Sequence, residues 1–130
     1  MPDVLFLDSE GLSMLYRKNR RMLAWVQAAK EDGVRVATTA MTTVEADYSK
    51  VHPARVGWTL SQIDVHAVTR ELAAQAAALL RAHGLSGHKY AIDAVLAASA
   101  RSVQGLVTVV TSDPDDMALL CGTEIEIVKV

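Results

Sequence analysis

The chain has a single cysteine, Cys121, in 130 residues. No internal disulfide can form, and no cysteine-based zinc site is suggested. It also lacks a dominant charge: 13 Lys and Arg stand against 15 Asp and Glu, leaving a net −2. That balance gives no overall attraction to nucleic acid or to an anionic membrane, so any such binding has to come from a local patch. The N-terminal stretch MPDVLFLDSEG carries acids before and inside its only apolar run. It is therefore neither a signal peptide nor a membrane span, and a cytoplasmic location is expected. Repeats, linkers and low-complexity segments are missing. The four histidines, His52, His66, His83 and His88, are scattered and have no nucleophile at motif spacing, which points to surface or packing roles.

What is present suits one domain over residues 1–130, large enough for a genuine core: 51% hydrophobic and 22% charged residues. Val4-Leu5-Phe6-Leu7 reads as a short buried strand ending at Asp8-Ser9-Glu10-Gly11. A helical turn over Leu12 to Tyr16 follows, then a helix capped by Asn19 and running to about Lys30, with Met22, Leu23, Val26 and Ala29 on one face. Val34 to Thr39 is a second strand. Thr42-Thr43-Val44-Glu45 has a capping-box pattern and opens a short helix. Lys50 to Ser61, with Pro53 and Gly57, reads as a loop or irregular helical piece, and Ile63 to Val68 as a short edge strand. Thr69 caps an alanine-rich helix ended by Gly84, and a further helix runs from His88 to about Val103. Leu106 to Thr111 is apolar enough for a strand buried on both faces, and Glu124 to Val130 is a last strand. Strands and helices alternate throughout, so the class is α/β with a mainly parallel sheet of four to five strands and right-handed crossovers.

Chemistry is carried by acids at the strand ends. Asp8 follows the first strand. The Leu106–Thr111 strand runs into Ser112-Asp113-Pro114-Asp115-Asp116 at the mouth of a short apolar helix. Open α/β sheets place ligand sites at such carboxyl ends. Each acid also has a plain structural explanation: Asp8 and Asp113 as helix caps, Glu45 as part of a capping box, Asp115 and Asp116 as first-turn acids that offset the helix dipole. Asp93 is harder to explain that way. It lies in a segment apolar on every side, its face at spacings of four and seven is Ala97 and Ala100, and Lys89 four residues earlier is the only cation placed to reach back. Burying an unpaired carboxylate costs several kcal/mol. If the first and fourth strands are neighbours, Asp8, Glu45, Asp93 and Asp113 gather at one edge, where their mutual repulsion would be relieved by a divalent cation. The all-oxygen donor set indicates Mg²⁺ or Mn²⁺. With Asp113 as the N-cap, Asp116 falls at N3 on the same side as Asp113 and is the expected outer-shell metal residue, while Asp115 points to solvent.

This order of parts, a strand ending in Asp-Ser, a Glu on the second helical region, a helix carrying Ile-Asp-Ala and then Val-Thr-Ser-Asp, resembles the PIN domain. The resemblance spans essentially the whole chain and is closest to small stand-alone VapC-type toxins; the phrase Thr-Ser-Asp-Pro-Asp-Asp is similar to actinobacterial members. It implies a three-layer α/β/α fold and a metal-dependent endoribonuclease using Asp8, Glu45, Asp93 and Asp113, with Ser9 and Ser112 at the small hydroxyl positions beside the first and last acids. It further implies an antitoxin partner. Two departures stand out: Glu10 where small polar residues are usual, and Val-Glu-Ala-Asp around Glu45, which makes Asp47 a competitor. RNA needs phosphate contacts, and Arg17, Lys18, Arg20 and Arg21 form the densest basic cluster. Trp58 is open to core, RNA-stacking or partner roles. Apolar Leu12, Leu15, Tyr16 and Leu23 suggest a homodimer interface. The alternative to a nuclease is a non-catalytic α/β interaction module whose carboxylates are structural caps. A phosphoacceptor receiver domain fits less well, because adjacent acids after the first strand and a middle-strand aspartate are missing.

Overall fold

Val4–Leu7 forms β1, and its alternation organises both faces of the sheet: Val4 and Phe6 enter one core, Leu5 and Leu7 the other. The computed structural model describes residues 3–130, so Met1 and Pro2 of the expected domain lie outside them. After β1 come α1 (Ser9–Tyr16), α2 (Arg20–Glu31), β2 (Arg35–Thr39), α3 (Ala40–Ala46), α4 (Pro53–Ser61) and β3 (Asp64–His66). The second half is α5 (Arg70–Ala82), α6 (Gly87–Arg101), β4 (Val107–Thr111), α7 (Pro114–Cys121) and β5 (Glu126–Lys129). The five strands make one sheet in the order β3-β2-β1-β4-β5, every pairing parallel. The first half of the chain winds outward from β1 to one side and the second half to the other. The strand order therefore reverses between β1 and β4, which are paired from Val4↔Val107 to Leu7↔Val110. The expected class, α/β/α layers around a mainly parallel sheet, is the one observed.

One face is covered by α6 and α7, whose Leu96, Ala97, Ala100, Met117 and Leu120 pack on Phe6 and Val109. Outside α6 lies α5, joined through Leu72, Ala76, Ala94, Val95 and Ala98. The small residues of α6 let the two helices approach closely. On the other face, α1 and α2 bring Leu15, Met22 and Val26 against Leu5, Leu7 and Val36. A satellite cluster of Leu12, Tyr16 and Ala46 ties α1 to α3, with Val56 and Leu60 of α4 against it. At the opposite end of the sheet from the strand carboxyl ends, Arg101 Nη1 donates to the Cys121 carbonyl at 2.9 Å and so caps the C-terminus of α7. Gly122 follows with φ +82°, a conformation a side chain disfavours, and a Cβ there would stand 3.0 Å from Arg101 Nη1. His66 anchors the short edge strand β3: its Nδ1 is 2.9 Å from Ser99 Oγ on α6, and its ring meets Phe6 edge-on at 5.2 Å.

Several expectations are corrected. The first helix starts at Ser9 rather than Leu12, because Asp8 caps it. Thr39, not Thr42, caps α3, accepting from the Thr42 N–H at 3.1 Å. Glu45 therefore sits near the end of that helix and plays no part in a capping box. The stretch from Lys50 contains a regular helix, α4, with Pro53 in its first turn, where a missing N–H is harmless, and His52 Nδ1 accepting from the Ala54 N–H. Of the residues that suggested a dimer interface, Leu12, Leu15 and Tyr16 are core; only Leu23 reaches the surface. The homodimer thus loses its basis in those residues.

Phe6 is fully buried at the centre of the sheet. Phe6→Ala should cost about 3–5 kcal/mol in denaturant unfolding, enough to unfold much of the population. A loss below about 1 kcal/mol would mean that β1 is not the centre of the core.

Candidate functional site

The strand carboxyl ends at the β1/β4 reversal are held together by one carboxylate. Asp8 is 4% exposed, and its Oδ1 accepts the Gly11 N–H at 2.8 Å, capping α1. Its Oδ2 accepts the Ser112 N–H at 2.9 Å, just past β4. The Asp8 N–H donates to the Val110 carbonyl, and Thr38 Oγ1 donates to the Leu7 carbonyl at 2.8 Å. Three adjacent strands thereby fix the position of this acid.

Glu45 projects from α3, and the Ser9 hydroxyl donates to its Oε1. Asp93 comes from α6, one turn before the buried alanines that pack on the sheet. Its carboxyl is pushed up to about 6, first by burial and then by the charges of Asp8, Glu45, Asp113 and Asp116. The four acids expected at this edge, together with Asp116, are thus brought within electrostatic reach of one another. Asp113 occupies the N-cap position of α7, but its side chain makes no cap hydrogen bond; its N–H donates to Thr111 Oγ1 at 3.0 Å. Its pKa is raised by desolvation, then by the hydrogen bond and charge of Asp116, and lowered by Lys89. Asp116 therefore lies on the Asp113 side of the helix and is half-buried, whereas Asp115 is exposed.

The cations are arranged differently from expectation. Lys89 does not reach back to Asp93; it is exposed, lies 5.1 Å from the Tyr90 ring centroid, and its raised pKa comes first from Tyr90 and then from Asp116 and Asp113. Arg17 is paired with Glu10 at 3.0 Å. Lys18, in the left-handed region at φ 59°, turns the chain, and Arg20 and Arg21 open α2. This basic run lies at the far end of the eight-residue α1, roughly 12 Å along its axis from Asp8. Trp58 is exposed beneath Arg55, its ring centroid 5.0 Å from the guanidinium carbon, on a groove between α2 and α4 that contains none of the acids.

Beside the acids, an open groove of about 360 Å³ is lined by Ser9, Glu10, Ser13, Glu45, Asp47 and Tyr48, among others. Tyr48 is the lining residue that no motif or spacing singles out. Its only signal is an aromatic side chain three positions beyond Glu45.

The donor set is all oxygen, and Asp93 is half-buried, with no hydrogen bond among the causes of its shift. Both features suit a hard divalent cation. Among the described residues, however, no three His, Cys, Asp or Glu side chains are grouped as they would be around a metal ion. Asp8 is already engaged by two N–H groups and Glu45 by Ser9. The set therefore fits an ion that keeps most of its water and takes one or two carboxylates directly, as Mg²⁺ does, rather than an all-protein cage.

No family model matches the chain, and no curated protein matches it. Among solved structures, it is similar to VapBC2 from Rickettsia felis bound to a DNA fragment from their promoter, with a TM-score of 0.71 and 12% identity over 98% of both chains. It is also similar to FitAB bound to an IR36 DNA fragment, with a TM-score of 0.63 and 19% identity over 96% of this chain and 94% of that one. At these identities the likeness shows the fold, a PIN-like three-layer α/β/α arrangement. The assignment to the PIN family as a small stand-alone, actinobacterial-like VapC-type toxin is corrected. No family model supports it, and the neighbours are VapBC2 from Rickettsia felis and FitAB, each bound to DNA, at 12% and 19% identity. No helix among the described residues is long and apolar enough to cross a membrane.

The pressure on Asp93 is measurable without any ligand. A carboxyl near 6 in the folded state and near 3.8 unfolded imposes no penalty below about pH 4, where both states hold the proton. Stability falls as pH rises through that interval, and the penalty is full above it. After allowing for solvent screening at this half-exposed group, it amounts to about 1–2 kcal/mol. In metal-free buffer at pH 7, Asp93→Asn should raise Tm by about 5 °C, and the gain should vanish by pH 4. An Asn variant no more stable than the parent at pH 7 would show that neither burial nor the neighbouring acids press on Asp93.

Proposed function

We propose that this chain is a metal-dependent endoribonuclease and the toxic member of a toxin–antitoxin pair. The observation that supports this reading is the gathering of Asp8, Glu45, Asp93, Asp113 and Asp116, from widely separated parts of the chain, where the sheet's strand order reverses. Acids that only cap helices have no reason to meet.

In this reading Asp93 and Asp113 would hold Mg²⁺ or Mn²⁺, with Asp116 and Glu45 adding negative charge beside it, and Asp8 fixes the loop that carries Asp113. A bound ion supplies charge neutralisation at the phosphodiester and a water of lowered pKa. The protein's own contribution is positional. The Ser112 N–H is committed to Asp8, Ser9 holds Glu45 toward the cluster, and Lys89 stands exposed beside Asp113 and Asp116 as the nearest cation for a substrate phosphate. The basic run Arg17, Lys18, Arg20 and Arg21 is far enough away to contact a neighbouring phosphate rather than the one cleaved. The antitoxin reading is supported by the fold neighbours VapBC2 and FitAB, both antitoxin–toxin complexes.

One observation favours the other reading, an interaction module with structural carboxylates: Asp8 is fully used as a cap and loop tie. A cleavage assay on RNA decides between them. The wild-type chain should cut with Mg²⁺ or Mn²⁺ and stop on addition of EDTA, and Asp93→Asn should lose at least 100-fold in rate while remaining folded. Expression of the wild type alone should arrest growth, and expression of Asp93→Asn should not. Cleavage undiminished by EDTA, or by the substitution, overturns the nuclease.

The two first-turn acids of α7 should separate in the same preparation. Asp116→Asn should weaken Mn²⁺ binding by calorimetry several-fold more than Asp115→Asn, because Asp115 faces solvent and contributes chiefly a dipole interaction of ~0.3–1 kcal/mol. The reverse order would place Asp115 at the ion.

A further inference from the structure

We infer that the groove beside the acids is a subsite for one unpaired nucleobase, stacked on Tyr48 and favouring a base with an exocyclic amino group. This rests on the nuclease reading and names the substrate it takes. The groove is continuous with the acid cluster, because Glu45, Ser9 and Ser112 line both. At about 360 Å³ it lies in the lower range of small-ligand pockets.

Its lining selects the occupant. Asp47 presents a carboxylate, Glu10 a second one whose Oε1 is already taken by Arg17, Ser13 adds a hydroxyl, and no lysine or arginine lines the groove. A phosphate entering there meets the unpaired carboxylate of Asp47 and the charge of Glu45, whereas carboxylates accept hydrogen bonds from the amino groups of cytosine, adenine or guanine. Uracil offers a carbonyl at the equivalent edge and is disfavoured. Tyr48, 38% exposed, supplies the aromatic face on which a base stacks. Both the face and the edge of that base must be free, so the strand is unpaired at this nucleotide. On the other side of the acids, Lys89 stands by Asp113 and Asp116. The strand then passes from a base on Tyr48, across the acids, to a phosphate at Lys89.

The test is fluorescence anisotropy with labelled decamers of cytidylate and uridylate in Ca²⁺, each checked by gel to be intact after measurement. The cytidylate decamer should bind about three- to tenfold more tightly than the uridylate one. Tyr48→Ala should weaken its binding roughly 5- to 150-fold, the range for loss of one base stack, and Tyr48→Phe should restore it. Asp47→Asn should abolish the preference for cytidylate, since an amide serves either base. Wild type binding neither decamer, Tyr48→Ala binding as wild type does, or a loss that follows Trp58→Ala instead, each overturns the subsite. Failure of the two readings is distinguishable. Cleavage with Mg²⁺ or Mn²⁺ alongside an unchanged Tyr48→Ala affinity removes the subsite and leaves the nuclease. Tyr48-dependent binding without cleavage removes the nuclease and leaves the subsite.

Discussion

A single buried carboxylate closes this fold at the carboxyl end of its sheet. Asp8 takes one backbone N–H from the first turn of α1 and another from Ser112, 104 residues away. Burying an acid is costly unless its charge is met, and two N–H groups meet it here with charge-assisted bonds. The same bonds hold the end of β1, the start of α1 and the β4–α7 loop in one register. Asp113 and Asp116 depend on that loop for their position, so the site cannot form unless Asp8 is in place.

The other acids stand in the opposite condition. Asp93 is half-buried among like charges, and its carboxyl rises to about 6. The part of the helix that follows it, Ala94 to Ala100, is buried and mostly alanine, packed against the sheet and α5, so the strain is supported by well-formed packing beyond it. Stability lost at Asp93, midway along α6, is offset by the buried residues that follow it, a pattern common where function and folding compete. The site's edges are unlike each other. The α7 side carries the exposed Lys89, and the α3 side carries carboxylates, serine hydroxyls and Tyr48. A polymer with alternating anionic and aromatic parts suits that asymmetry better than a compact anion does.

Local signals explain where the sequence reads correctly and where it fails. The strands β1 and β4, the Asn19 and Thr69 caps and the α5 helix are each legible because the deciding interactions lie within a few residues. The α3 cap was misplaced by one turn because Thr39 and Thr42 are both competent, and only the end of β2 decides between them. The regular helix α4 was obscured by Pro53 and Gly57, whose positions become harmless once His52 and Pro53 form its first turn. Leu12, Leu15 and Tyr16 look like a patch in sequence, yet α3 and α4 cover Leu12 and Tyr16 from segments more than twenty-five residues away, and Leu15 is buried against β1, β2 and α2.

The sequence by itself determined the α/β alternation, the buried character of β1 and β4, the presence of acids at strand ends, and one helical carboxylate, Asp93, without a local partner. These follow from periodicity, capping chemistry and the cost of an uncompensated charge, all of which act over short distances along the chain. The tertiary structure alone decided that β1 and β4 are neighbours, that Glu45 faces Ser9 rather than its own helix terminus, that Lys89 turns toward α7, and that Tyr48 borders the acids. Those relations depend on strand order and helix placement. Both are set by how the whole chain buries its two apolar faces, which no local stretch of residues encodes.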